Sequence, residues 1–221
     1  MDTSYNNIFS TKGLNSLTYN DPYAKLCFTS MIASQCQKKV IYIDLDTMFA
    51  AYAKSDLILL LRNTKCINKT INIYLPTEDR FESILKEIIE DMYDSSIVIF
   101  DSVNSFYNMY YKKIDINSGK GLSNINHLLS IFLMLLLKHG IYLNVPILAT
   151  SMIRYKKYTE WIQTPTSRRL LHKKSIVKLN VVMINEDDLS LEIISHPTRT
   201  SEKIIFQNLG VKFGSGIENN A

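Results

Sequence analysis

Two stretches, Val40-Ile-Tyr-Ile-Asp44 and Ile97-Val-Ile-Phe-Asp101, decide the reading of this chain. Each is a short, unbroken apolar run that stops on a carboxylate. Runs of four to eight apolar residues without polar alternation suit strands covered on both faces, as in a parallel sheet. Ile71 to Leu75, followed by Pro76, and Val145 to Thr150 are two more such runs. Helical patterns lie between them. Asp21 to Gln37 opens with Asp21 as N-cap and Pro22 at the first helical position. In Thr77 to Tyr93, Phe81, Ile84, Leu85, Ile88, Ile89 and Met92 keep to one face behind a Thr77 cap. Ser123 to His139 is apolar nearly all round in its second half, which predicts a covered helix with Gly140 as C-cap. Alternating strands and helices predict an α/β fold with a doubly wound, mainly parallel sheet.

After residue 174 the pattern changes. Ser175 to Ile184 and Leu189 to Ser195 read as strands joined by the turn Asn185 to Asp188, and Lys203 to Gln207 as a third. These predict an antiparallel extension of the sheet. At 221 residues, 46% hydrophobic and 21% charged, the chain reads as one globular domain spanning 1–221. The polar ends, 1–12 and 214–221, are expected to be flexible.

Glycine usage excludes much. There are 7 glycines, and none between Gly13 and Gly119, where average usage of ~7% would give roughly 15 in the chain. A phosphate-binding loop needs glycines so that backbone N–H groups can close on the phosphate oxygens. Neither G-x-x-x-x-G-K-[ST] nor G-x-G-x-x-G occurs. Three cysteines (Cys27, Cys36, Cys66) and four histidines form no metal-ligand spacing and point to a reducing compartment. Met1 to Lys12 is polar and the longest purely apolar run, Ile131 to Leu137, is short, so no signal and no membrane span are expected, and the chain is placed in the cytoplasm.

The net charge of +4 is unevenly distributed. The segment Arg154 to Lys174 carries Arg154, Lys156, Lys157, Arg168, Arg169, Lys173 and Lys174 against Glu160 alone, a net +6. The remaining 18 basic and 20 acidic residues leave the body at −2. Tyr155, Tyr158 and Trp161, the only tryptophan, interleave with these cations. Cations that follow a phosphate backbone, mixed with flat rings that stack on bases, are what single-stranded nucleic acid requires. Equally, aromatic residues in a basic loop anchor protein partners. A second connection, Tyr107 to Gly121, adds Tyr107, Tyr110, Tyr111, Lys112, Lys113 and Lys120. The carboxylates Asp44, Asp46 and Asp101 fall at strand C-termini, where open α/β sheets bind ligands. They suit either Mg²⁺ or, for Asp46, a helix cap.

The order of these motifs resembles the RecA/RadA-type recombinase core, in particular its short RadB-like and recombinase-paralogue members. Leu17-Thr-Tyr-Asn-Asp-Pro-Tyr-Ala-Lys-Leu26 stands where that family keeps its Walker A loop. With Lys25 on the family's lysine, Tyr19 and Ala24 replace glycines and Leu26 replaces the magnesium-binding hydroxyl residue. Val40 to Asp46 is similar to the strand bearing the catalytic glutamate, with Asp46 in its place. Ile97 to Val103 is similar to the Walker B strand, ending on Asp101. Ile147-Leu-Ala-Thr-Ser-Met152 has Ser151 and Met152 where the family has Asn and a nucleotide-sensing Gln. Arg169 to Leu179 and His196 to Phe206 resemble the segments that follow, so the likeness spans residues 13 to 213.

The resemblance implies a RecA-like fold whose two long connections coincide with the family's DNA-facing loops. It also implies a pseudo-ATPase with no catalytic residue, metal or other cofactor, since only Lys25 and Asp101 survive of the nucleotide-contacting positions. Its partners would be single-stranded DNA and recombinase-like subunits, in a homo- or hetero-oligomer serving homologous recombination and DNA repair. Two alternatives stand beside it. Asp44-Leu-Asp-Thr47 matches the D-x-D-x-T motif of haloacid-dehalogenase-type phosphotransferases, with Ser151, Lys156, Asp187 and Asp188 as the remaining parts. Degenerate RecA-like domains also serve as ring subunits, as in the Elongator accessory ring or clock-type ATPases.

Overall fold

The computed structural model describes residues 8–55, 57–58, 71–111, 120–157, 161–165, 171, 173–185 and 187–207. Among the described residues nine strands form one sheet: β1 Leu14–Tyr19, β2 Lys39–Asp44, β3 Ile71–Tyr74, β4 Ser95–Asp101, β5 Ile147–Lys157, β6 Trp161–Pro165, β7 Ser175–Met183, β8 Asp188–Ser195 and β9 Glu202–Gln207. The order is β3-β2-β4-β5-β1-β7-β8-β9, with β6 paired to β5 off that path. Pairing is parallel from β3 through to β7 and antiparallel at β7/β8, β8/β9 and β5/β6. The expected mainly parallel sheet with an antiparallel extension is therefore present, although β7 itself runs parallel to β1.

Helices α1 Pro22–Gln35 and α2 Met48–Lys54 cover one face; α3 Phe81–Asp91, α4 Val103–Tyr111 and α5 Lys120–Leu143 cover the other. The apolar runs serve both faces. Val40, Tyr42, Ile97 and Ile99 join the core under α1 and α2, and Ile41, Ile43, Val98 and Phe100 join the core under α3 to α5. Asp21 caps α1 as expected, accepting from Tyr23 N at 2.8 Å, with Pro22 at the first helical position.

Several expectations need correction. β1 escaped the pattern because Asn15, Ser16 and Thr18 interrupt its apolar residues. Those polar groups find partners across the sheet: Asn15 Nδ2 donates to Ile147 O at 3.0 Å, Thr18 Oγ1 donates to Leu179 O at 3.0 Å, and Asn15 Oδ1 also accepts locally from Ser10 N at 2.7 Å. Thr77 makes no capping bond; a 3₁₀ turn, Glu78–Arg80, precedes α3. Tyr107 to Tyr111, read as the start of the connection Tyr107 to Gly121, are the end of a helix that begins at Val103. Ile8 is buried at the end expected to be flexible; residues 1–7 and 214–221 lie outside the described residues.

Gly140 is not a C-cap. It sits inside α5, which runs on to Leu143 and ends at Asn144 in the left-handed region, φ 57°. Ser123–Leu143 is long and apolar enough to cross a membrane by length and composition, which corrects the reading from its longest apolar run. One of its faces, from Ile125 through Phe132 to Leu136, is part of the core. Nor is it covered on its other face, as Ile131, Met134 and Tyr142 are exposed.

At Gly140 a Cβ would meet Val145 O at 2.7 Å and Ile147 Cδ1 at 2.9 Å. Helix propensity alone predicts that Gly140→Ala stabilises by ~1 kcal/mol. The backbone carbonyl in the way reverses the sign, and urea unfolding should show a loss of roughly 1–3 kcal/mol.

Candidate functional site

The C-terminal edge of the parallel strands brings Lys25, Asp46 and Asp101 together. Lys25, in the first turn and a half of α1, places Nζ 2.7 Å from Asp101 Oδ2 at the end of β4 and 2.9 Å from Asp46 Oδ2 just beyond β2. The lysine and Asp101 side chains are 0% exposed. Tyr19, the last residue of β1, lays its ring 5.5 Å from the ammonium. Asp101 also accepts from Tyr42 OH at 2.7 Å and from Thr150 Oγ1 at 2.6 Å. Burial on its own would depress the Lys25 ammonium, but the charges of Asp101, Tyr19 and Asp46 outweigh it and hold the pKa above the ordinary lysine value. Tyr42 and Thr150 were missed in the sequence. Their only signal is a polar atom within an apolar strand.

Asp44 and Asp46 are held by the next helix. Asp44 Oδ2 accepts from Ala50 N at 2.8 Å, and Asp46 Oδ1 from Met48 N at 3.1 Å. Asp46 therefore does serve the helix start, while Thr47 between them adopts φ 64°, uncommon for a β-branched residue. The carboxylates of Asp44, Asp46 and Asp101 each offer an oxygen within 4.8 Å of the others. No donor reaches Asp44 Oδ1. That oxygen is satisfied when it carries a proton and donates it to Asp46. Burial, together with Asp46, pushes the Asp44 carboxyl up to about 7. Asp46 is pulled the other way: burial would raise it, but Lys25 holds it below the usual carboxylate range.

The turn that leads into α1 is short. Only Asn20 and Asp21 lie between β1 and α1. At the start of α1, Pro22 has no N–H and that of Tyr23 is taken by Asp21. Ala24 and Leu26 are fully buried, as core residues rather than loop. A cavity of about 330 Å³ lies at the opposite edge of the sheet, among Ile32, Cys36, Lys38, Ser96, Asn144 and Pro146.

Within the segment read as one long loop, Ser151 to Lys174, the described residues 151–157 and 161–165 form a hairpin. β5 continues past Thr150 to Lys157, and β6 returns along it, pairing Lys157 with Trp161 and Tyr155 with Gln163. Alternating β-formers from Ile153 to Tyr155 allow the extension. Arg154 is exposed; Tyr155, Lys156, Lys157 and Trp161 lie on the two strands. Lys173 and Lys174 are exposed but not beside them. Ser175 is level with Ile147 through their common partner Leu14. Arg154 lies seven residues further along β5, about 23 Å away at ~3.3 Å per residue. Lys120 opens α5, and Tyr107 and Tyr110 are on α4, packed toward the core beneath. Tyr158, Arg168, Arg169, Lys112 and Lys113 lie outside the described residues.

The phosphotransferase parts are not assembled. Asp44 is buried against Ala50 N, Asp187 sits in the β7/β8 turn and Asp188 opens β8. Three strands, β4, β5 and β1, separate β2 from β7, a span of about 19 Å at ~4.8 Å per strand.

Two outcomes follow from this geometry. Lys25→Met leaves two carboxylates uncompensated, one fully buried, and should cost roughly 3–5 kcal/mol in chemical unfolding, partly recovered in Lys25→Met/Asp101→Asn. Native Asp44 keeps a proton that the unfolded chain releases near its ordinary pKa of ~4, so stability falls as pH rises from ~4 to about 7. Asp44→Asn, which mimics the protonated form, should flatten this dependence and add on the order of 2 kcal/mol at pH 8.

No family model and no curated protein matches the sequence. Among solved structures, the chain is similar to the crystal structure of the RadB recombinase, with a TM-score of 0.64, 15% sequence identity and 93% of each chain covered. At that identity the likeness speaks to architecture. The strand order around Lys25, the parallel sheet and its antiparallel flank are those of a RecA-like recombinase fold.

Proposed function

We propose that this chain is a catalytically inactive RecA-like recombinase paralogue that binds single-stranded DNA and partner proteins as an accessory in homologous recombination and repair. The observation that carries the reading is the fully buried Lys25 ammonium, paired to Asp101 and Asp46. Phosphoryl transfer depends on a lysine and a cradle of backbone N–H groups free to meet the phosphates. Here the lysine is already neutralised and a two-residue turn replaces the cradle. The fold shared with the RadB recombinase supports a recombination role. The basic and aromatic hairpin at the same edge of the sheet supports binding to a single strand.

Titration with ATP and magnesium should give no binding heat and no phosphate release, and turnover abolished by Lys25→Met would overturn the pseudo-ATPase reading. Binding of labelled single-stranded DNA should weaken with salt, log K against log[salt] sloping by roughly −3 to −4 if about five cations meet phosphates. Trp161→Ala should weaken binding by ~1–3 kcal/mol. Lys156→Ala/Lys157→Ala should make the slope shallower by about 1.4, while Lys173→Ala/Lys174→Ala, at the far edge of the sheet, should leave it unchanged. A flat salt dependence removes the nucleic-acid reading, and tight binding to structured RNA alone would favour a ring-subunit role.

A further inference from the structure

Helix α5 carries two apolar stripes, and the fold uses one. Ile125, Leu129, Phe132, Leu133, Leu136 and Gly140 face the sheet and are buried. On the outer side, Leu128, Ile131, Leu135 and Tyr142 recur at i, i+3, i+7 and i+14, with Met134 and Ile141 alongside. These six are 37% to 85% exposed and make up six of the eleven exposed large apolar residues among those described. Their spacing is the seven-residue repeat by which one helix seats its side chains between those of another. Scattered apolar residues need no explanation, but a contiguous stripe does.

We propose that this outer stripe is the interface of a two-fold symmetric dimer, in which α5 of one chain packs on α5 of a second copy. Three observations favour that occupant. The uncovered surface is on the order of 600 Å² per chain, at the top of the range that monomers expose. Two such faces bury roughly 1,200 Å², which reaches the lower bound of stable interfaces. The stripe is self-complementary, since its apolar row is broken only by Lys138 and α5 contains no acidic residue. An opposing copy brings a matching apolar row, and α3 carries exposed Glu82, Glu87 and Glu90. An isologous contact of this kind closes at two chains. The dimer stands independently of the nucleic-acid reading, because the stripe involves none of the hairpin residues.

Sedimentation equilibrium of the full chain from about 1 to about 100 μM should show a reversible monomer–dimer equilibrium with a Kd on the order of micromolar. Leu135→Glu and Met134→Lys, at partly exposed positions, should keep the wild-type circular dichroism and melting temperature while weakening the dimer at least ~10-fold. A wild-type chain that stays monomeric throughout overturns the proposal, as does assembly beyond the dimer or dimerisation unaffected by both substitutions. A monomer that floats with anionic phospholipid vesicles would assign the face to a membrane and overturn it equally.

Discussion

A lysine ammonium with no access to water must be matched by opposite charge, and this requirement organises the centre of the molecule. Removing an ion from water costs several kcal/mol even after relaxation. Lys25 is tolerated at 0% exposure because Asp101 and Asp46 both lie within 3 Å of it. Satisfying it fixes five elements at once. α1 supplies the lysine, β4 and the β2–α2 turn supply the carboxylates, and β2 and β5 supply Tyr42 and Thr150 to orient Asp101. A shift of any of these elements by an ångström or two would leave a buried charge unpaired, so the pair specifies the register of the central strands as much as it stabilises them.

The same pairing sets the charge at this edge of the sheet. The Lys25 cation is shared between two carboxylates, and the start of α1 is capped from within by Asp21. One surplus proton remains on the Asp44–Asp46 pair, because two adjacent carboxylates beside a third do not all ionise easily. With that proton in place, one ammonium faces two carboxylates, Asp46 and Asp101. Among the described residues, Arg154 on the β5–β6 hairpin and the apolar outer row of α5 are exposed.

How far the sequence reveals this can be followed residue by residue. The apolar runs ending at Asp44 and Asp101 gave two strands and two of the carboxylates directly, since burial on both faces leaves a local signature. The N-cap at Asp21 was equally legible, because capping involves only neighbours in sequence. β1 was hidden by Asn15, Ser16 and Thr18, whose polarity argues for a loop until partners 132 to 161 residues away are known. Gly140 was misread for a similar reason. What forbids a side chain there is the carbonyl of Val145 folding back, not the end of a helix.

Local chemistry therefore determined the class of the fold, the absence of a glycine-built phosphate loop and the clustering of basic and aromatic residues after residue 153. These depend on composition and on short-range periodicity, which the chain carries at every point. Tertiary structure alone decided that Lys25 meets Asp101 and Asp46, that Tyr42 and Thr150 complete the cluster, and that Lys173 and Lys174 stand apart from the hairpin whose charge they seemed to share. It also decided that one stripe of α5 is core and the other surface. Each of these is a matter of which distant residues meet and how much water is excluded when they do, and desolvation becomes a definite quantity only once the sheet has closed.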